Sequence, residues 1–143
     1  MRVPTVFTRI IDGELPGTFV WRDPECVAFL SIEPTRPGHT LVVPRAEVDH
    51  WIDLEPEVAT HLMLVAREIG RAQQRVYRPV KVGLLIAGLE VPHTHLHVVP
   101  IHEGEADLHL DRARPASPDE LATEATALRA ALRDAGAAGV SDA

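Results

Sequence analysis

A chain of 143 residues with 45% hydrophobic content has the length and apolar stock for one domain with a true core, so residues 1–143 are read as a single unit. Its formal net charge of −7 argues against a nucleic acid polymer or an anionic membrane as partner, since either favours a basic surface. The first residues carry no uninterrupted apolar run and no stretch approaches the length of a membrane span, which predicts a cytoplasmic protein.

Taken in chain order, Phe19-Val20-Trp21 and Val27-Ala28-Phe29-Leu30 predict two strands of a hairpin around Asp23-Pro24. Cys26, the single cysteine, flanks the second strand and reads as a small buried hydrophobe. Thr40-Leu41-Val42-Val43 predicts a third strand. Val58, Leu62, Val65, Ile69, Ala72 and Val76 then recur at spacings of four and three, the stripe of a long amphipathic helix starting near Pro56. Val82-Gly83-Leu84-Leu85-Ile86 predicts a fourth strand, and the segment His93 to Val99 a fifth. The polar, acidic stretch from His102 to Pro115 reads as loop. Ser117-Pro118-Asp119-Glu120 has a capping pattern with proline at the first helical position, and Leu121, Ala125, Leu128 and Leu132 extend it to an end near Gly136. Residues 137–143 have little to bury and are expected to fray. A long helix between strands of a mostly antiparallel sheet makes the fold class α+β.

Within the fifth strand, His93-Thr94-His95-Leu96-His97 places three of the chain's eight histidines at two-residue spacing. On an extended strand that alternation turns the three imidazoles to one face, with Thr94, Leu96 and Val98 on the other. Histidine is a weak strand former, and three in five residues displace burial that valine would supply, so a purely structural row lacks motive. Residues i and i+2 lie about 6.6 Å apart, so the outer pair is separated by about 13 Å and shares one small ion poorly. Two of the three with His39 as a distant third ligand remain a zinc alternative. Neutral imidazole is also a nucleophile near pH 7. His50, His61, His102 and His109 read as surface residues.

The stretch Glu90-Val91-Pro92-His93-Thr94-His95-Leu96-His97-Val98-Val99-Pro100 resembles the signature of the histidine triad (HIT) family. Phe7-Thr8-Arg9-Ile10-Ile11-Asp12-Gly13-Glu14-Leu15-Pro16 is similar to the family's opening segment. Phe29-Leu30-Ser31-Ile32-Glu33-Pro34, with Pro37-Gly38-His39-Thr40-Leu41-Val42-Val43-Pro44, is similar to its central hairpin. The resemblance spans about residues 5–100, leaving 102–136 as a C-terminal loop and helix. It implies a HIT-like fold of about five antiparallel strands, usually a homodimer in which sheets join and the long helix takes part, with Trp51 placed at a subunit boundary. It implies a purine nucleotide or nucleotide conjugate as ligand, and a hydrolase or nucleotidyl transferase acting on nucleoside phosphoramidates or dinucleoside polyphosphates. A non-catalytic nucleotide-binding scaffold is the alternative.

The same resemblance assigns roles. His95 would attack the α-phosphorus and carry the nucleotidyl group, and His97 would hydrogen-bond the bridging atom as the leaving group departs. His93 would orient the array through its carbonyl and ring, with His39 completing a relay with it. Phe7, Ile10, Phe29, Leu30, Ser31 and Ile32 would line the nucleoside pocket, with Gly88 and Leu89 near the phosphate. A nucleophilic imidazole needs an acceptor behind its second nitrogen, which is a physical requirement at His95. Many relatives carry aspartate at the position of Ser31 and a glycine-rich loop ending in Gly-Gln where this chain has Leu84-Leu85-Ile86-Ala87-Gly88-Leu89-Glu90, so ribose and phosphate contacts are expected to differ. Some bacterial relatives hold a structural zinc through two cysteines and a histidine at positions occupied here by Thr5, Thr8 and Glu47. No cofactor and no structural zinc are therefore expected.

Overall fold

Unbroken apolar runs in the first two strands require cover on both faces of a sheet, and the chain supplies it with helices on one side and an aromatic cluster on the other. In the computed structural model, which describes residues 3–142, Phe19–Arg22 (β1), Cys26–Leu30 (β2), Thr40–Pro44 (β3), Lys81–Leu85 (β4) and Leu96–Ile101 (β5) form one antiparallel sheet of order β1-β2-β3-β5-β4. The α+β class and the five strands stand as the sequence predicts. The helix Pro56–Tyr77 (α2) connects β3 to β4, and β5 inserts between those two strands, which makes the strand that begins beside the histidine segment an interior one.

The alternation sorts the two faces. Cys26, Ala28, Leu30, Val42, Leu96 and Val98 pack with Leu62, Val65 and Ile69 of α2 and with Leu121, Leu128 and Leu132 of Pro118–Asp134 (α3). Val27, Phe29, Leu41 and Val43 face the opposite way, onto Phe7 and Phe19. Ser117 caps α3 by accepting from the Glu120 N–H at 3.1 Å. Within the apolar stripe of α2 one polar residue is fully buried: Gln73 donates from Nε2 to the carbonyls of Gly38 and Val98, both at 2.9 Å. Gly38 has φ +90°, and a Cβ there would lie 2.3 Å from the Tyr77 ring, so the turn before β3 admits only glycine.

Three segments differ from expectation. A short helix, Val6–Ile11 (α1), has no apolar repeat long enough to announce it; Thr5 is its N-cap, accepting from the Thr8 N–H at 3.1 Å. The stretch after β5 is not simple loop: Glu105–Leu108 and Leu110–Arg112 are single 3-10 turns. Buried Asp107 anchors them, accepting from the His102 and Glu103 N–H groups at 2.7 and 3.0 Å and from Arg36 Nε at 2.9 Å. Burial pushes that carboxyl up, but these donors hold it at about 2. Finally, the tail is not frayed through its described part. Val140 bridges Trp21, Ser141 N–H donates to the Val20 carbonyl at 3.0 Å, and Gly139 lies against the Trp21 ring, too close for a side chain. The unpaired edge of β1 captures it; Ala143 lies outside the described residues. No helix among the described residues is long and apolar enough to cross a membrane.

Candidate active site

The ladder between β3 and β5 pairs Thr40 with Val98, Leu41 with His97 and Val42 with Leu96, and stops there. His93 and His95 therefore precede the strand instead of lying in it. The backbone partner changes at this point: Thr94 N–H and Oγ1 both donate to the Val48 carbonyl, at 2.7 and 2.8 Å, and the Pro44 carbonyl at the end of β3 receives a side chain instead of an amide. The alternation nonetheless persists. The rings of His93 and His95 meet Phe7 edge-on at 5.7 and 4.8 Å, and His95 meets His97 at 4.9 Å, while Leu96 and Val98 turn to α2.

Two hydrogen-bond chains fix which nitrogen of each ring carries the proton. His93 Nε2 lies 2.7 Å from the Pro44 carbonyl, which can only accept, so the proton is on Nε2 and Nδ1 accepts from Thr5 Oγ1 at 2.6 Å. The carbonyl of His93 in turn receives His95 Nδ1–H at 2.7 Å. Neutral His95 then has its lone pair on Nε2. The second chain starts at the Thr35 N–H, which donates to His39 Nδ1 at 3.1 Å. His39 must carry its proton on Nε2 and donates it to His97 Nδ1 at 2.9 Å, leaving His97 with an Nε2–H. His39 thus pairs with His97, not with His93 as expected, because His93 has already given its two nitrogens to Pro44 and Thr5.

Burial lowers the proton affinity of all four. His39 falls to about 3 and His97 to about 4, each first through loss of water and then through a neighbouring imidazole. His93 and His95 are also shifted down by burial, partly offset by the carbonyls they bond. All four shifts favour the neutral imidazole.

His39, His95 and His97 open into a cleft of about 510 Å³, and of the expected pocket residues Phe7, Ser31, Ile32, Gly88 and Leu89 line it. Three do not. Leu30 projects to the helix side with Ala28 and Cys26, as strand alternation demands. Phe29 and Ile10 lie in the aromatic cluster behind Phe7. His93, fully buried, supports the site from beneath rather than lining it. The structure adds Leu110, Asp111 and Ala113, which no local pattern points to because the Asp107 anchor carries them in from distant sequence. Among the described residues, the cleft wall holds Glu33, Glu90 and Asp111 and no lysine or arginine.

The arrangement disfavours the zinc alternative, since His39 and His97 spend their facing nitrogens on each other. Elsewhere Asp23, Cys26 and His61 bring ligand-type atoms within 4.8 Å of one another. That carboxylate is filled: Oδ1 takes the Glu25 and Cys26 N–H groups and Oδ2 takes Trp21 Nε1 and His61. Burial first, then Asp23, pushes the Cys26 thiol up and keeps it protonated. His61, expected at the surface, is instead half-buried as a partner of this turn at 2.6 Å.

A five-stranded antiparallel sheet that seats two differently protonated imidazoles on one cleft defines a small α+β protein with a histidine-lined site. Residues 12–104 match the HIT domain family, and the chain belongs to that family. An uncharacterised HIT-like protein of Methanocaldococcus jannaschii is 30% identical over 107 residues, covering 72% of this chain and 83% of that protein. The adenosine 5'-monophosphoramidase of Saccharomyces cerevisiae is 30% identical over 104 residues, covering 72% of this chain and 66% of the yeast protein. Among solved structures, a Zn-bound histidine triad family protein from Mycobacterium smegmatis superposes with a TM-score of 0.78 at 30% identity, covering 92% of this chain and 94% of that one.

Proposed function

We propose that the protein is a nucleotide-binding hydrolase that cleaves nucleoside phosphoramidates through a nucleotidyl-histidine intermediate on His95. The observation that carries this reading is the opposite protonation of neighbouring rings: His95 offers a lone pair and His97 an N–H to the same cleft. In the first step the His95 Nε2 lone pair forms a bond to phosphorus as the P–N bond breaks. The departing nitrogen keeps that electron pair and takes a proton from solvent water at the cleft while the His97 Nε2–H hydrogen-bonds to it. Water then attacks phosphorus, its surplus proton leaves by the same route, and the monophosphate is released with His95 restored. Charge on the phosphoryl oxygens meets the His97 N–H and backbone donors.

Between the two substrate classes implied by resemblance, the acidic wall favours the phosphoramidate. Glu33, Glu90 and Asp111, with no lysine or arginine beside them among the described cleft residues, repel the several charges of a dinucleoside polyphosphate more than the smaller charge of a phosphoramidate. The yeast relative's activity supports the same choice. Ser31 at the cleft and Leu89 at its rim, 94% exposed, leave ribose and phosphate held by fewer polar side chains than in many relatives.

Incubation with adenosine 5'-monophosphoramidate, acid-free quenching and peptide mass analysis is expected to find the adenylyl group on His95. An active enzyme with no adduct on that peptide under single-turnover conditions contradicts the proposal. We further infer a homodimer using the open edge of β4 and the flank of α2, where Val80, Leu84 and Met63 stay exposed beside a groove of about 430 Å³. Light scattering that gives the mass of one chain at micromolar concentration would refute it.

A further inference from the structure

The Mycobacterium smegmatis neighbour is described as Zn-bound, and of the three positions that the resemblance links to zinc, two are occupied here by groups that do not suit the ion and the third, Glu47, is spent on them. Two of them are threonine hydroxyls, and structural zinc is held by thiolate, imidazole or carboxylate in a closed tetrahedron. The nearby imidazole is committed as well, with Nδ1 to Thr5 and Nε2 to Pro44. These residues join each other instead. Glu47 Oε1 accepts from the Thr5 N–H at 2.8 Å and from Thr8 Oγ1 at 2.6 Å. Thr5 Oγ1 accepts from the Thr8 N–H at 3.1 Å and gives its own proton to His93 Nδ1.

We propose that Thr5, Thr8 and Glu47 form a metal-independent brace that orients His95 through His93. Three of these bonds have a single possible direction once the His93 hydrogen is on Nε2. The Thr8 hydroxyl hydrogen goes to Glu47, the Thr5 hydroxyl hydrogen to His93, and the His93 hydrogen to Pro44, so the imidazole of His93 is clamped at both nitrogens. Clamping that ring fixes the peptide whose carbonyl receives His95 Nδ1–H. The same helix start carries Phe7, whose ring stands edge-on to His95 at 4.8 Å. The loop after β3, the first turn of α1 and the nucleophile are thereby one hydrogen-bonded unit, and Thr5, Thr8 and Glu47 are positioning residues that need not touch substrate.

The kinetic half of the test rests on the phosphoramidase reading, whereas the spectroscopic half does not. In Thr5→Val, side-chain 15N NMR at pH 7 is expected to show His95 losing its pure Nδ1–H form for a mixture of tautomers. Phosphoramidate kcat should fall by about tenfold with KM within about twofold of wild type. Thr5→Ser, which keeps the hydroxyl, should restore both. An unchanged His95 tautomer in folded Thr5→Val, or a Thr5→Ser variant as impaired as Thr5→Val, overturns the brace. If Thr5→Val does not fold, the wild-type protein decides: prolonged EDTA dialysis should leave its melting temperature and histidine 15N spectrum unchanged, and loss of the His93 pattern on chelation would overturn metal independence. A wild-type protein with the expected spectra but no phosphoramidase activity removes the functional reading and leaves the brace standing.

Discussion

His95 and His97 are the same residue two positions apart, each 7% exposed and each opening into the same cleft, yet they are held by opposite nitrogens. His95 is gripped through an Nδ1–H by a carbonyl that belongs to the unit of α1 and the loop after β3. His97 is gripped through an Nδ1 lone pair by His39, which is fixed by the amide of Thr35 in the turn ahead of β3. Because burial is equal, the difference in chemistry comes from the partner behind each ring. One arm ends in an acceptor and leaves a lone pair toward the cleft, and the other ends in a donor and leaves an N–H.

That contrast can be broken at either arm. His95→Ala removes the attacking atom, and phosphoramidate turnover is expected to fall by about 10⁴-fold or more. His97→Asn leaves the nucleophile but loses the ring donor, with kcat reduced by about 10²-fold or more and the adduct on residue 95 still formed, only slowly. His39→Leu leaves both rings but frees the tautomer of His97, and a loss of about tenfold in kcat is expected, with single-turnover kinetics as the check.

The smallest effect concerns stability. His39, His93, His95 and His97 bind protons less readily in the folded protein than the ordinary value of 6.5 for an unfolded histidine. Below that value the unfolded chain holds more protons than the folded one, so stability is fully present above about pH 6.5 and is lost as pH falls toward the folded values, about 4 for His97 and 3 for His39. Each histidine contributes a slope of up to about 1.4 kcal/mol per pH unit in that window. Urea titrations at pH 7, 6 and 5 should show the decline, and His39→Leu should flatten it.

The sheet and both long helices were legible because their signals are periodic and local: the stripe from Val58 to Val76, the Ser117 cap and the alternation of Val27 through Leu30. The histidines and the family resemblance were legible for the same reason. What escaped the sequence depends on contacts between distant segments. The pairing of His39 with His97 rather than His93 follows from Pro44 and Thr5 having taken both nitrogens of His93, and no spacing encodes that competition. Leu110 and Asp111 reach the cleft only because buried Asp107 ties its segment to Arg36. Leu30 was misplaced for a simpler reason: strand alternation sends it with Ala28 to the helices, and the parity of the strand outweighs the likeness of the motif.

Side-chain 15N NMR of histidine-labelled protein at pH 7 reads the protonation pattern of the two adjacent rings directly. A neutral His95 protonated at Nδ1 and a neutral His97 protonated at Nε2 are expected. A His95 protonated at Nε2, or an imidazolium at either position, would contradict it.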